Sequence, residues 1–505
     1  EDGDVIIKDN AKFSPSPGAT VLINGGSFII EDSACPTIAG GSFDISGEFH
    51  LEDNTCLNIE GGSYFKITGE FATFDQHSLS IRDSSLDVFQ GTELGLVLFS
   101  GTPAASVDFA NVTLVINGGN LIANETITFT VTGSAIDIDI GAAIFADQSV
   151  SDFTDSTFSL DFDTSLSFID TSSTTLTNTD IILKDGEVFI TDDATVVHND
   201  SDFLITLGGF TIQDNGDLGM AGSKIELLAS GGHFTGINQG TANLVDTELT
   251  VRGGDIDFKN TADLTVADSP ILVTDGNVEF VDTSTLNLLP KTTLTIDSGS
   301  FEMKDSSKLS GDTNTVTVNG GDFRGSSNAD IDFAAVNMLV GGNMEFINSA
   351  TLDIVGPTSQ VTVDQGTFST KDATTVSMKD TLMLVVGNVF LDGVSHYFED
   401  SSIVVDQGTD TGSIISGVNA LVHAVNSQIT VNNGNFDFIT NSKLLTDNTD
   451  IEVNLGGITL DSPLHELYDS SITVNDGLFE ANFVSNTNAV RTPITVSGGN
   501  MELMI

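Results

Sequence analysis

Asn24–Phe28 reads NGGSF, Ala39–Phe43 reads AGGSF and Glu60–Tyr64 reads EGGSY. The gaps between them are uneven, 15 residues and then 21. Taking Gly26 as an anchor and stepping about 22 residues at a time resolves the irregularity. The steps land on Gly47, Gly69, Gly91, Gly119 and Gly141, and continue through Gly209, Gly299, Gly408, Gly434 and Gly457 to Gly499, while one step back reaches Gly3. The glycine pairs of AGGSF and EGGSY are not anchors. They lie 14 and 15 residues past Gly26 and Gly47, one repeat apart from each other, and mark a second corner of the same unit.

Each anchor carries the same apolar grid. Pairs such as Val21/Ile23 and Leu294/Ile296 precede it, Phe28/Ile30 and Phe301/Met303 follow it, and Leu57/Ile59 and Leu286/Leu288 come later in the repeat. Every pair has period two, so each is a short strand with one face inward. Three strands per repeat predict an all-β fold, a three-sided parallel β-solenoid of about 23 coils of about 22 residues. It would form a single continuous domain over 1–505, a rod of about 105 Å at a coil spacing of about 4.8 Å. Glu93, Thr211, Asp410 and Thr459 fall on inward positions of this grid, so bulges are expected there. The Phe-rich position after the anchor is read as an internal ladder of rings.

Composition narrows the function classes. Against 72 acidic residues stand 16 basic ones, a net charge of −56. Nucleic-acid binding needs clustered Lys and Arg and is excluded. No apolar run reaches the roughly 18 residues of a membrane span, so membrane insertion is not expected. With 39% hydrophobic content and 33 Phe the chain is not disordered, despite its charge.

The two cysteines, Cys35 and Cys56, each lie nine residues past an anchor, in one slot of successive coils. Stacking brings their Cα atoms inside the window of a disulfide, and a bridge points to an oxidising, extracellular compartment. Six residues past the anchor Asp or Asn recurs, with Asp9, Asp32, Asp53 and Asp75 as the longest uninterrupted run. Such side chains bond the backbone at a bend, and stacked carboxylates also recruit Ca²⁺, the one cofactor this pattern suggests. Asn111, Asn124 and Asn199 head N-glycosylation sequons.

In this register the chain resembles the right-handed parallel β-helix superfamily, the pectate-lyase-like group, and is closest in character to β-helical surface adhesins. The resemblance implies two enzyme chemistries, lyases using Ca²⁺-binding Asp with an Arg or Lys base and hydrolases using clustered Asp. The candidates here are Arg252 with Asp255 and Asp257, Arg324 with Asp322, and Arg82 beside Asp83. Long cleft-building loops are missing from the repeat, and the chain has no Trp and only 3 Tyr. A structural role is therefore expected over an enzymatic one. The grid already operates at Val5 and Ile7 and still operates at Met501 and Leu503. Coil ends of this kind expose strand edges. End-to-end stacking would make a filament, with glycans or cell-surface molecules as the other partners of a surface fibre or stalk.

Overall fold

The computed structural model describes residues 3–89, 95–102, 105–228, 230–406, 412–439, 441–461, 465–482 and 488–504. The described residues form strands and turns, without a helix. Two compact units divide the chain, Glu1–Gly253 and Gly254–Ile505. Each is a three-sided parallel β-solenoid.

In the first unit Phe28 pairs with Phe49 and Phe49 with Phe71 on the first side. Leu57 pairs with Leu79 on the second, and Val21 with Phe43 on the third. In the second unit the equivalent steps are Phe301 to Phe323, Leu264 to Leu286 and Ile271 to Leu294. All are parallel, and every alternate residue points inward. The expected ring ladder is present in the core. Phe28 and Phe49 stack with centroids 5.3 Å apart, and Phe301 and Phe323 with centroids 4.8 Å apart; all four are fully buried.

The three corners use different chemistry. At the first, Asp9, Asp32, Asp53, Asp75, Asp147, Asp170 and their counterparts adopt φ between 50° and 69°. One residue in the left-handed region reverses the chain sharply, and after Gly it is Asn and Asp that tolerate this conformation.

The second corner pairs a left-handed Asp or Asn with a buried Ser or Thr, as in Asp155–Ser156, Asn178–Thr179 and Asp200–Ser201. Each hydroxyl donates to the carbonyl two residues back and accepts an N–H from the coil before it. Ser201 donates to Asn199 at 2.8 Å and accepts from the Thr179 N–H at 2.7 Å. In the second unit the Thr381 and Ser401 N–H groups are likewise taken by the hydroxyls of Ser401 and Ser427. These hydroxyls satisfy corner N–H groups that the strand ladder leaves over.

At the third corner the anchors stack so closely that a Cβ cannot fit. A Cβ on Gly141 would lie 1.7 Å from the carbonyl oxygen of Gly119, one on Gly299 1.7 Å from that of Gly276, and one on Gly434 1.3 Å from that of Gly412. This column corrects the register expected from the letters. Gly208, not Gly209, continues it from Gly186, and Gly456, not Gly457, continues it from Gly434. Gly119 pairs with Gly95, whereas Gly91 and Gly408 lie outside the described residues. With the column corrected, Thr211 sits between the inward Phe210 and Ile212, and Thr459 between Ile458 and Leu460. No bulge is needed at either. Glu93 and Asp410 lie outside the described residues. Between the strands Thr351–Thr370 and Thr375–Leu391 the register does shift, between Val355 and Ser359 and between Asp364 and Thr367.

Candidate functional site

The inward positions of the last described coil are exposed or half-buried, unlike those of the coil before it. In the second unit Phe479 and Ala481 are fully buried. Their register partners one coil later, Met501 and Leu503, are 44% and 49% exposed. Ile494 and Val496 on the third side are half-buried, one coil beyond the buried Ile472 and Val474. In the first unit Val5 is half-buried and Ile7 buried, paired with Phe28 and Ile30. The second side of this first coil is not a strand. It carries Pro15 and Pro17, and Phe13 lies edge-on to Phe28 and Phe43 at 5.7 and 6.4 Å. Proline has no N–H to offer a neighbouring strand, so two of the three sides remain able to pair. The sequence grid passed over Phe13 because no second apolar residue accompanies it at strand spacing.

Cys35 and Cys56 form the expected disulfide, with Cα atoms 4.5 Å apart and a separation of 21 positions in sequence. It joins two successive coils of the first unit, in the register of Thr37 and Asn58. Such a bond belongs to a non-reducing environment. Closing a loop of this length stabilises by about 3 kcal/mol. Cys35→Ser with Cys56→Ser is expected to lower stability by that amount, measured by thermal unfolding. Intact mass with and without reductant reads out the bond itself.

No protein-family model matches the chain, and no curated protein matches it. Any functional reading therefore has to come from the arrangement of its own residues.

The charge pairs singled out as enzyme candidates are distributed differently from their order in the sequence. Arg324 does bond Asp322, at 2.6 Å, and also reaches Glu302. Arg82 bonds Asp108 on the next coil rather than Asp83, and Arg252 bonds Glu226 rather than Asp255 or Asp257. Asp257 instead holds Lys259. Arg491 bonds Asp469, so each of the four arginines is ion-paired. Exposed pairs of this kind contribute about 1 kcal/mol at most.

Of the sequon residues, Asn111 is exposed on the second corner and donates to Asp83 at 2.9 Å. Asn124 and Asn199 are half-buried on strands. Among the described residues no helix is long and apolar enough to cross a membrane. An open groove of about 700 Å³ runs along the second corner of the second unit, past Asp380, Asp400, Asn426, Gln428 and Asn448. No Lys or Arg lines it, which suits a neutral rather than an acidic chain molecule.

Asp9, Asp32, Asp53 and Asp75 share the first corner, and the Asp53 carboxylate accepts the Asp32 N–H at 3.3 Å. The Asp53 side chain is thus drawn to the backbone of the coil before it. The tightest gathering of ligand-type atoms among the described residues is elsewhere, at Glu48, His50 and Glu70. The letters EFHLE at Glu48–Glu52 carried its signal, because period two puts Glu48, His50 and Glu52 on one outer face. Glu70 stands one coil above Glu48, and burial raises its carboxyl pKa. Coil register, not spacing along the chain, brings His50 into this group.

Proposed function

We propose that the protein is an extracellular structural subunit whose solenoid coils stack end to end into a surface fibre. The observation that carries this reading is the exposed inward face of the last described coil. Met501 and Leu503 occupy positions that are fully buried one coil earlier, and burying such side chains is worth about 1.5–3 kcal/mol each. A coil of a second copy would cover them, and so would further chain of the same protein. The glycine column fits the first occupant, as it would fit a further coil of the same chain. Gly3 has open space where its Cβ would be. Gly26, the next in the column, would put a Cβ 2.3 Å from the Gly3 carbonyl oxygen. A second copy continuing the column would set its Gly3 over the carbonyl of Gly499, with equally little room. The disulfide supports a location outside the reducing cytosol. A surface adhesin is the second reading, favoured by the groove past Asp380 and Asn448.

Gly3→Val separates folding from stacking. The valine meets nothing in a single molecule, so thermal unfolding should match the wild type. In a stack it meets the neighbouring coil, so sedimentation should show wild-type assemblies that grow with concentration and a monomeric variant. Equal assembly of both proteins, or none by either, would overturn the reading.

A further inference from the structure

We infer that Glu48, His50 and Glu70 form a binding site for a divalent transition cation of the zinc class, linking two successive coils on the outer first side of the first unit. One ligand atom from each of the three lies within 4.8 Å of the other two. The His50 Nε2 is 3.5 Å from the Glu48 carboxylate. Bonds of about 2.1 Å to a tetrahedral ion put neighbouring ligand atoms about 3.4 Å apart, so this pair needs almost no movement.

The second observation lies in the imidazole itself. Its Nε2 is shut off from solvent and has no hydrogen-bond partner. Its Nδ1 faces the Glu52 carboxylate at 3.5 Å. A carboxylate beside Nδ1 is the arrangement found behind metal-ligating histidines. The ring is held edge-on against Phe74 at 5.7 Å. No Lys or Arg forms an ion pair with Glu48, Glu52 or Glu70 among the described residues, although most Lys and Arg side chains in the molecule are paired. Three carboxylates therefore surround one imidazole without a cation to balance them.

The donor set selects the ion. Imidazole nitrogen suits zinc and its neighbours, whereas Ca²⁺ takes oxygen ligands. Three protein ligands leave a fourth position for water. Glu48 and His50 lie on one coil and Glu70 on the next, while Cys35–Cys56 ties the coil of Glu48 to the one before it. The cation would thus continue a series of cross-coil links begun by the disulfide.

The test uses the full chain, stripped with chelator and titrated with Co²⁺ at physiological salt, which screens diffuse binding to an acidic surface. The expected result is one saturable equivalent with the intense visible bands of a four-coordinate site, displaced by Zn²⁺. His50→Gln and Glu70→Gln should each weaken binding at least about tenfold, and Glu52→Gln by a similar factor, with unchanged circular dichroism. Both ligand residues point outward, so neither variant disturbs the core. Binding that never saturates, or that is the same in His50→Gln, would overturn the assignment.

Discussion

Gly299→Val is expected to cost more than about 4 kcal/mol, the range of a steric clash that neighbouring atoms cannot relieve. The new Cβ would stand 1.7 Å from the Gly276 carbonyl oxygen, in a short bend between the ladder strands Pro270–Thr274 and Val278–Phe280. The column accepts a larger residue at Thr164, and the reason is instructive. Gly141 comes three positions after Ile138, and Gly299 three after Ile296, but Thr164 comes four after Leu160. The extra residue, Asp163, takes φ 50° and lets Thr164 enter the column at a different angle. At Gly299 there is no such slack. Chemical denaturation of the variant against wild type measures the effect. A loss below about 1 kcal/mol would mean that coils are not held at the described spacing.

Acidification from pH 7 towards pH 4.5 is expected to destabilise both units. His77 and His198 in the first unit and His396 and His465 in the second are buried. Burial pushes each imidazole down to about 4. In the unfolded chain the same groups take up protons near 6.5. Between those values unfolding binds protons, so stability is fully present above pH 6.5 and falls by about 1.4 kcal/mol per pH unit for each histidine. Two histidines per unit take away several kcal/mol, a large part of a domain's stability. Carboxyls act with the opposite sign. Burial raises those of Glu70, Asp137, Asp202, Asp332 and Asp437, so the folded state takes up their protons first and acid favours it. Substitution isolates the histidine part. His198 stacks in register between Leu176 and Met220, so His198→Leu keeps an apolar column. Its Tm should fall less between pH 7 and pH 4.5 than that of wild type. An equal fall in Tm for His198→Leu and wild type over this interval would rule out a neutral buried His198.

The period of the chain was legible because burial dictates it. Inward positions must be apolar in every coil, so Phe28, Phe49 and Leu57 announce their places without help. The cysteine pair was legible for the same reason, since one slot in successive coils fixes the distance. The register at glycine doublets was not. In LGGF at Leu207–Phe210 either glycine satisfies the letters, and only the approach of the Gly186 carbonyl decides for Gly208. The hydroxyl column at Ser134, Ser156, Thr179 and Ser201 repeats once per coil, but Ser and Thr are so frequent on the outer faces that a buried set does not stand out by composition. The Glu48–His50–Glu70 group shows a further limit. Glu48 and His50 stand together in EFHLE, but Glu70 joins them only when coils are laid over one another.

Electron microscopy of the purified wild-type protein at moderate salt tests stacking most directly. Stacked coils should give unbranched filaments whose power spectrum carries a layer line at about 4.8 Å along the axis, the spacing of coil on coil. Discrete, separate particles at every concentration would contradict it.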